Sequence, residues 1–438
     1  MLSNITQMGV KYRYVKIQNS SDSINAFGGL NFVSQSFDNA KISQLIESEL
    51  GSKSAGATYN YSDSIKALWL TFFAGGDCAE DINVHLCKSL LMLPGVKAPS
   101  ADTVLRDLKR HATATTLKAG KTGIEHQTNT NEVLNKLMIK QLLLLKLLST
   151  KEKHDFDYDN QVIPTEKYDA ERSYKKCNAY QPGIATIGRH IVYLENRNGN
   201  SPAVNEQAST LRKCYEALKA EGIEIKRSRM DCASYQKDVI EVVLEFSDLF
   251  YIRAQRCDAM ANQIKAATSW QKVRIGTKQY EIASIQYTPF KGETAYRVVV
   301  SREPQPQGDL LTESHFSYRG IITNDEAMTD FEVLQYYNQR GGQENIFDEM
   351  NNDYGWTKMP FSFLNENTVF LIVMAMCRSF YLYFLEKYSK ATTFVKNTFR
   401  LKRFRFRFIN VAAKWIKKSD QHVLKLFTDK DYSKLAKT

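Results

Sequence analysis

Paired cysteine motifs are missing from this sequence. Its seven cysteines, Cys78, Cys87, Cys177, Cys214, Cys232, Cys257 and Cys377, are odd in number, scattered, and never spaced as CxxC. Neither a disulfide framework nor a cysteine-based zinc site is indicated, and a reducing cytoplasm fits. No apolar run approaches the roughly 20 residues a membrane span needs. The longest, "VFLIVMAMC" from Val369 to Cys377, is expected to be a buried core helix. The opening "MLSNITQMGVKYRYVKIQ" has no apolar signal core. There is no internal repeat and no low-complexity linker, "SREPQPQGD" being the nearest to a flexible connector.

What is present is basic charge on an ordinary globular composition. The chain has 438 residues, 43% of them hydrophobic, enough for two or three domains and a large core. Its 59 Lys+Arg against 48 Asp+Glu leave a net charge of +11. The excess is concentrated at the C-terminus, where residues 391–438 hold 13 Lys+Arg and 3 Asp. Such an asymmetry favours a polyanionic partner and points to a nucleic-acid surface, although ribosome-binding and membrane-surface tails share it.

The pattern along the chain changes twice. Residues 61–115 read as three short helices broken at Gly75-Gly76 and Pro94-Gly95, and the third carries Arg106, Lys109 and Arg110. A helical trio ending in a basic helix is compatible with helix-turn-helix DNA binding and equally with a plain helical bundle. Residues 131–149 form one long amphipathic helix. From about 151 strands alternate with helices, which implies an α/β sheet. Short hairpin-like strands between 270 and 303 interrupt it as a β insertion, beginning at Trp270. The tail "FRLKRFRFRFINVAAKWIKK" alternates cations and phenylalanines at period two, so a half-buried strand with Arg403, Arg405 and Arg407 on one face is expected. The divisions are an N-terminal helical region 1–150, an α/β domain 151–360 with its insertion at about 265–310, and a C-terminal helix with a basic, strand-rich tail, 361–438.

Two carboxylates end predicted strands, where α/β folds place ligand sites: Asp157 in "HDFDYDN" and Asp231 in "RSRMDCASYQ". Asp155 shares a face with Asp157, and Asp159 follows as the strand gives way. A row of inward acids needs a counter-ion, and hard oxygen donors suit Mg²⁺ or Mn²⁺; solvated acids on an edge strand are the other reading. In "YYNQRGGQENIFDEMNND", Tyr337, Arg340, Glu344 and Asp348 form one helical stripe. Each glycine inside that helix costs about 1 kcal/mol relative to alanine. Gly341 and Gly342 either admit a bulky polyanion or neighbouring strand close to the backbone, or mark a kink between two helices.

Taken together, these residues resemble the Y-R-E-K signature of DDE transposases from bacterial insertion sequences. "DFDYDN" is similar to that family's first acid strand, "RMDCASY" to its second, and "YYNQRGGQENIFDEM" with "YGWTKMP" to its third. The signature's lysine is Asn351 here, and Lys358 is the nearest substitute. The resemblance implies a ribonuclease H-like mixed sheet in which Asp157, Asp231 and Glu344 hold two Mg²⁺ ions, with Mn²⁺ as a substitute, and Asp155 or Asp159 assists. It further implies double-stranded DNA as partner, namely element inverted repeats and target DNA, and a homodimer on the DNA. Tyr337, Arg340 and Lys358 would meet phosphate near the site. Arg106, Lys109 and Arg110 would bind the terminal repeats, and Arg403, Arg405 and Arg407 belong to the basic tail. Lys175 and Lys176 are either phosphate contacts or a solvated loop, and Trp270 is either a wedge against a displaced base or a core residue. A bacterial, cytoplasmic and nucleoid-associated enzyme is expected. The alternatives are a structure-specific nuclease of the same fold and a transposase-derived DNA-binding protein whose acids no longer work.

Overall fold

The computed structural model describes residues 17–120, 123–255, 257–304 and 316–437. Most of the opening segment read for a signal core, and the second half of "SREPQPQGD", lie outside the described residues. Helices α1 (Leu30–Asn39), α2 (Ile42–Leu50), α3 (Tyr61–Ala74), α4 (Cys87–Leu91) and α5 (Ala101–Lys109) make up most of the N-terminal part. Their ends follow the local chemistry. Asp63 accepts from the Asn60 amide at 2.8 Å to open α3, Gly75 closes it at a left-handed φ of 117°, and Ser100 caps α5.

The N-terminal region is not all helical. Strands β1 (Thr116–Ala119) and β2 (Glu125–Asn129) form a hairpin around Gly120 and Gly123 before α6 (Glu132–Leu144) begins. Gly123, at φ 78°, supplies the turn, and β2 continues onto β8 (His190–Arg197). The hairpin thereby becomes the edge of the central sheet.

That sheet has eleven strands in the order β1-β2-β8-β7-β3-β9-β10-β14-β13-β12-β11. Its middle consists of β7 (Gly183–Ile187), β3 (Lys153–Asn160), β9 (Glu224–Met230) and β10 (Ser247–Ala254). β3, β9 and β10 run parallel, whereas β7 and β8 are antiparallel to their neighbours. Crossovers α7 (Gln207–Ala220) and α8 (Lys237–Phe246) cover one face. There Phe156 packs on Tyr215 with ring centroids 4.7 Å apart, beside Tyr158, Leu218, Val239 and Val243. The short strands expected between 270 and 303 are present, with a helix α9 (Asp258–Ala266) ahead of them. Strands β11 (Gln271–Ile275), β12 (Lys278–Tyr287), β13 (Tyr296–Pro304) and β14 (Phe316–Thr323) extend the same sheet from β10. A small sheet of β4 (Ile163–Pro164), β5 (Glu171–Arg172) and β6 (Asn178–Tyr180) hangs between β3 and β7.

The other face carries α10 (Asp330–Asn338), α11 (Gly342–Asp353) and α12 (Leu364–Ala391). By length and composition α12 is apolar enough to cross a bilayer, yet it is the buried core helix that the run Val369–Cys377 predicts. Its carbonyls even take extra donors: Trp69 to Val373 at 3.1 Å, Trp356 to Leu371 at 3.1 Å, and Gln141 to Met376 at 3.1 Å.

The tail corrects the period-two reading. Leu401–Phe404 is α-helical (α13) and Arg405–Ile409 a π-turn, followed by the hairpin β15 (Ala413–Lys418) and β16 (Gln421–Leu426). Strand alternation would place Phe404, Phe406 and Phe408 on one face. Here Phe404 and Phe408, four residues apart, stack at 4.9 Å and pack on Phe384, while Phe406 is exposed. Aromatic partners on α12 reward helical spacing over the local pattern. Gly29 lies against this turn; a Cβ there would meet the Phe408 carbonyl oxygen at 2.3 Å. The Asn25 amide donates to Ala413 at 2.8 Å, so one hydrophobic core joins the first helices, α12 and the tail. The N-terminal and C-terminal parts therefore share one core, while the sheet face under α7 and α8 has a cluster of its own.

One partly buried group, His190, makes the stability of this fold pH-dependent. Burial first, then the charges of Arg378 and Arg189, depress the His190 pKa to about 4. A histidine held below its unfolded value stabilises the fold above about pH 6.5, and that contribution is lost as pH falls towards 4. His190→Asn is expected to recover roughly 2 kcal/mol at pH 5 relative to the parent. Urea melts at pH 7.5 and pH 5 check this, and an unchanged difference between the two pH values contradicts it.

Candidate active site

Strand β3 alternates. Phe156 and Tyr158 enter the core, and Asp155, Asp157 and Asp159 line the opposite face beneath α10. Strand β9 alternates in phase, with Arg227 and Arg229 before Asp231. The parallel register pairs Asp155 with Arg227, Asp157 with Arg229, and Tyr158 with Met230. Arg227 grips Asp155 with two bonds of 2.7 and 2.8 Å, and Arg229 grips Asp157 with two of 2.7 Å. Both guanidinium groups stack on Tyr336 of α10 at 4.4 Å, and Arg229 also donates to the Tyr336 carbonyl at 2.7 Å. Asp157 is only 5% exposed. Burial pushes its carboxyl pKa up, and Arg229 offsets part of that push.

Beyond the last paired residues, Tyr158 and Met230, Asp159 and Asp231 lie close enough for their like charges to act on each other. Burial, then the charge of Asp159, raises the Asp231 pKa; Arg340 and the amides of Ala233 and Ser234 act against it. Arg340 donates to Asp159 at 2.8 Å, so its guanidinium serves both carboxylates. Tyr337 donates to the Met230 carbonyl at 3.0 Å and pins α10 to the end of β9. Its phenol is pushed up to about 12 by burial, with Asp231 adding and Arg340 opposing.

Between α10 and α11 the chain passes through a 3₁₀ turn, Gln339–Gly341. Gly341 and Gly342 have φ of −54° and −62°, and a Cβ on either would meet nothing within 4 Å. Neither backbone strain nor a neighbouring strand calls for glycine here; the space beside them is open. Glu344 stands exposed in the first turn of α11, after Gln343, whose amide donates to Thr186 at 3.0 Å. Thr186 is the β7 partner of Asp157, so this bond ties α11 to the acid strand.

The structure thus gathers Asp159, Asp231, Arg340 and Tyr337 at the ends of β3 and β9, and commits Asp157 to Arg229. Among the described residues, the group of three or more candidate metal-ligand atoms within 4.8 Å of one another is Asp77, Cys78 and Asp81; Glu344 does not close on the aspartates to that distance. The phased alternation of "HDFDYDN" with "KRSRMD" was the signal for the ladder.

The remaining expected residues are dispersed. Lys358 is ion-paired with Asp77, and the buried Asn351 Oδ1 has no partner among the described residues. Trp270 is half-buried with Arg302 over its ring at 3.9 Å, a packing role within the insertion. Lys175 and Lys176 are exposed on the turn between β5 and β6. Arg403 and Arg407 are exposed beside Phe399 and Phe406, whereas Arg405 is half-buried facing Asp353 and Asp77. Lys109 pairs with Glu366 of α12 at 2.7 Å, while Arg106 and Arg110 remain exposed.

The fold is that of a mixed α/β protein with carboxylates gathered where parallel strands end. The chain belongs to the transposase DDE domain group 1 family, which matches residues 7–437, and is therefore a DDE transposase, an enzyme that cleaves DNA and transfers strands. Members of that family generally use divalent metal ions. No curated protein matches the sequence. Among solved structures it is similar to the piggyBac transposase in a synaptic complex with hairpin DNA, at 12% identity over 87% of this chain and 79% of that one, with a TM-score of 0.42.

Proposed function

We propose that this chain binds the terminal inverted repeats of an insertion sequence and catalyses Mg²⁺-dependent cleavage and strand transfer, with Asp159, Asp231 and Glu344 as the acids of a ribonuclease H-like core. The order β8-β7-β3-β9-β10, with three parallel strands and two antiparallel ones, supports that core. The observation that carries the reading is the Asp159–Asp231 juxtaposition. Asp155 and Asp157 each have an arginine of their own across the strand, whereas Asp159 lies beside Asp231 and the two share the single guanidinium of Arg340. Unlike charges would be the stable choice, so a like-charged pair at strand ends is better explained by what it binds.

The donor set fits a hard divalent cation: two adjacent carboxylates share one guanidinium, and the proton affinity of Asp231 is already raised. Asp159 and Asp231 would hold the Mg²⁺ ions with Glu344, and Mn²⁺ would substitute. When bound, such ions supply Lewis-acid activation of a water or 3′-hydroxyl and stabilise the leaving oxygen. The chain's own residues do the rest. Arg340 presents a planar fork able to take a phosphate in two bonds, Tyr337 fixes its helix, and the open space beside Gly341-Gly342 admits a DNA backbone. Asp155 and Asp157 hold Arg227 and Arg229, stiffening the two acid strands. Two copies acting on paired ends, in a bacterial cytoplasm and at the nucleoid, complete the reading.

The test is nicking of a duplex carrying the element's ends by the purified chain. Cleavage is expected with Mg²⁺ or Mn²⁺ and none with EDTA. Binding without cleavage under either metal would favour an inactive, transposase-derived DNA-binding protein. Cleavage indifferent to the repeats would favour a structure-specific nuclease.

A further inference from the structure

A cleft of about 560 Å³ opens between α5 and the loop 51–60, away from the acid strands. Arg106 and Arg110, one helical turn apart, line one wall with Thr103; Ser52, Thr58 and Tyr59 line the other. Both arginines are exposed, and neither belongs to any ion pair among the described residues; Arg106 makes one long bond, 3.4 Å, to the Thr103 hydroxyl. Lys109, between them in sequence, points elsewhere, to Glu366 at 2.7 Å. The acid at the cleft floor is already neutralised: Asp107, 3% exposed, accepts from Lys53 at 2.5 Å and from the Ser64 hydroxyl at 2.5 Å. Two like charges therefore face one small polar space with no acid left to balance them. Guanidinium forks opposite hydroxyl donors suit a phosphate's oxygens.

We infer that this cleft takes a phosphodiester of double-stranded DNA outside the cleavage site, reading backbone and not bases. The geometry also explains why α5 does not serve as a free recognition helix: its buried face packs on α3 and α12, and its cations line a niche. A contact of this kind is independent of sequence and holds the duplex while the acids act. The inference rests on the DNA-processing reading above.

The experiment measures binding of the full chain to a fluorescent duplex of arbitrary sequence across a salt series. The wild type, Arg106→Gln/Arg110→Gln and a charge-matched control, Lys237→Gln/Lys390→Gln, are compared. The cleft variant is expected to bind about tenfold more weakly at ~0.1 M salt, with a salt slope smaller by about one to two, while the control matches the wild type. Equal losses in both variants, or wild-type affinity in the cleft variant, overturn the cleft and leave the cleavage reading intact. Failure of the wild type to bind any duplex overturns both. Inorganic phosphate is the second arm. If it binds the wild type and not the cleft variant while duplex affinity is the same for both, the cleft takes a free anion and the inference falls.

Discussion

Asp159→Asn is expected to lower metal-dependent cleavage at least about a thousandfold while duplex affinity and melting stay close to the parent. The substitution keeps the shape of the side chain and removes its charge. Asparagine's oxygen can still accept from Arg340, and Asp231 still balances that guanidinium, so the fold should barely register the change. The chemistry should register it fully, because one of two neighbouring carboxylates is gone. Single-turnover nicking assays, paired with thermal melts, separate the two effects. Unimpaired cleavage by Asp159→Asn alongside a dead Asp157→Asn would return the first acid to Asp157.

Asp157→Ala is expected to fail in the opposite way, by loss of stability. It leaves the Arg229 guanidinium, 9% exposed, without its two bonds of 2.7 Å to a carboxylate. Removing one partner of a buried pair costs about 3–5 kcal/mol, whereas replacing both with apolar groups of similar size can be nearly neutral. Asp157→Leu/Arg229→Met should therefore regain most of the stability in urea melts, less the share due to the Tyr336 carbonyl bond that Arg229 also makes. Cleavage should return with it. A refolded double variant that stays inactive would show that Asp157 does more than hold Arg229.

Alternation made both acid strands legible in the sequence, and Gly75 and Ser100 marked ends of α3 and α5, whereas α1 and α2 were not read from it. The short strands between Trp270 and Ser301 were legible because they recur with turns between them. Which acid of the row lies beside Asp231 was not. Asp155, Asp157 and Asp159 share one face of one strand, and only the packing with β9 and α10 distinguishes them: Asp155 and Asp157 pair with Arg227 and Arg229 of β9, and Asp159 lies beside Asp231 under Arg340. That distinction depends on register across more than 70 residues, which periodicity within a segment does not reveal. The tail was misread for a related reason. Its phenylalanines alternate like a strand, and their helical geometry follows from partners on α12. The β1–β2 hairpin escaped notice because its exposed, polar residues carry little apolar alternation.

The close seating of Gly28 and Gly29 against Phe408 and Val411 has a consequence for synthesis. At about 5–20 residues per second, a ribosome takes on the order of tens of seconds to pass from one side of that contact to the other. During this interval the leading helices have no surface on which to finish packing. A nascent polypeptide must then wait for its closing segment, so a message cut short before it should yield a product that chaperones or proteases intercept.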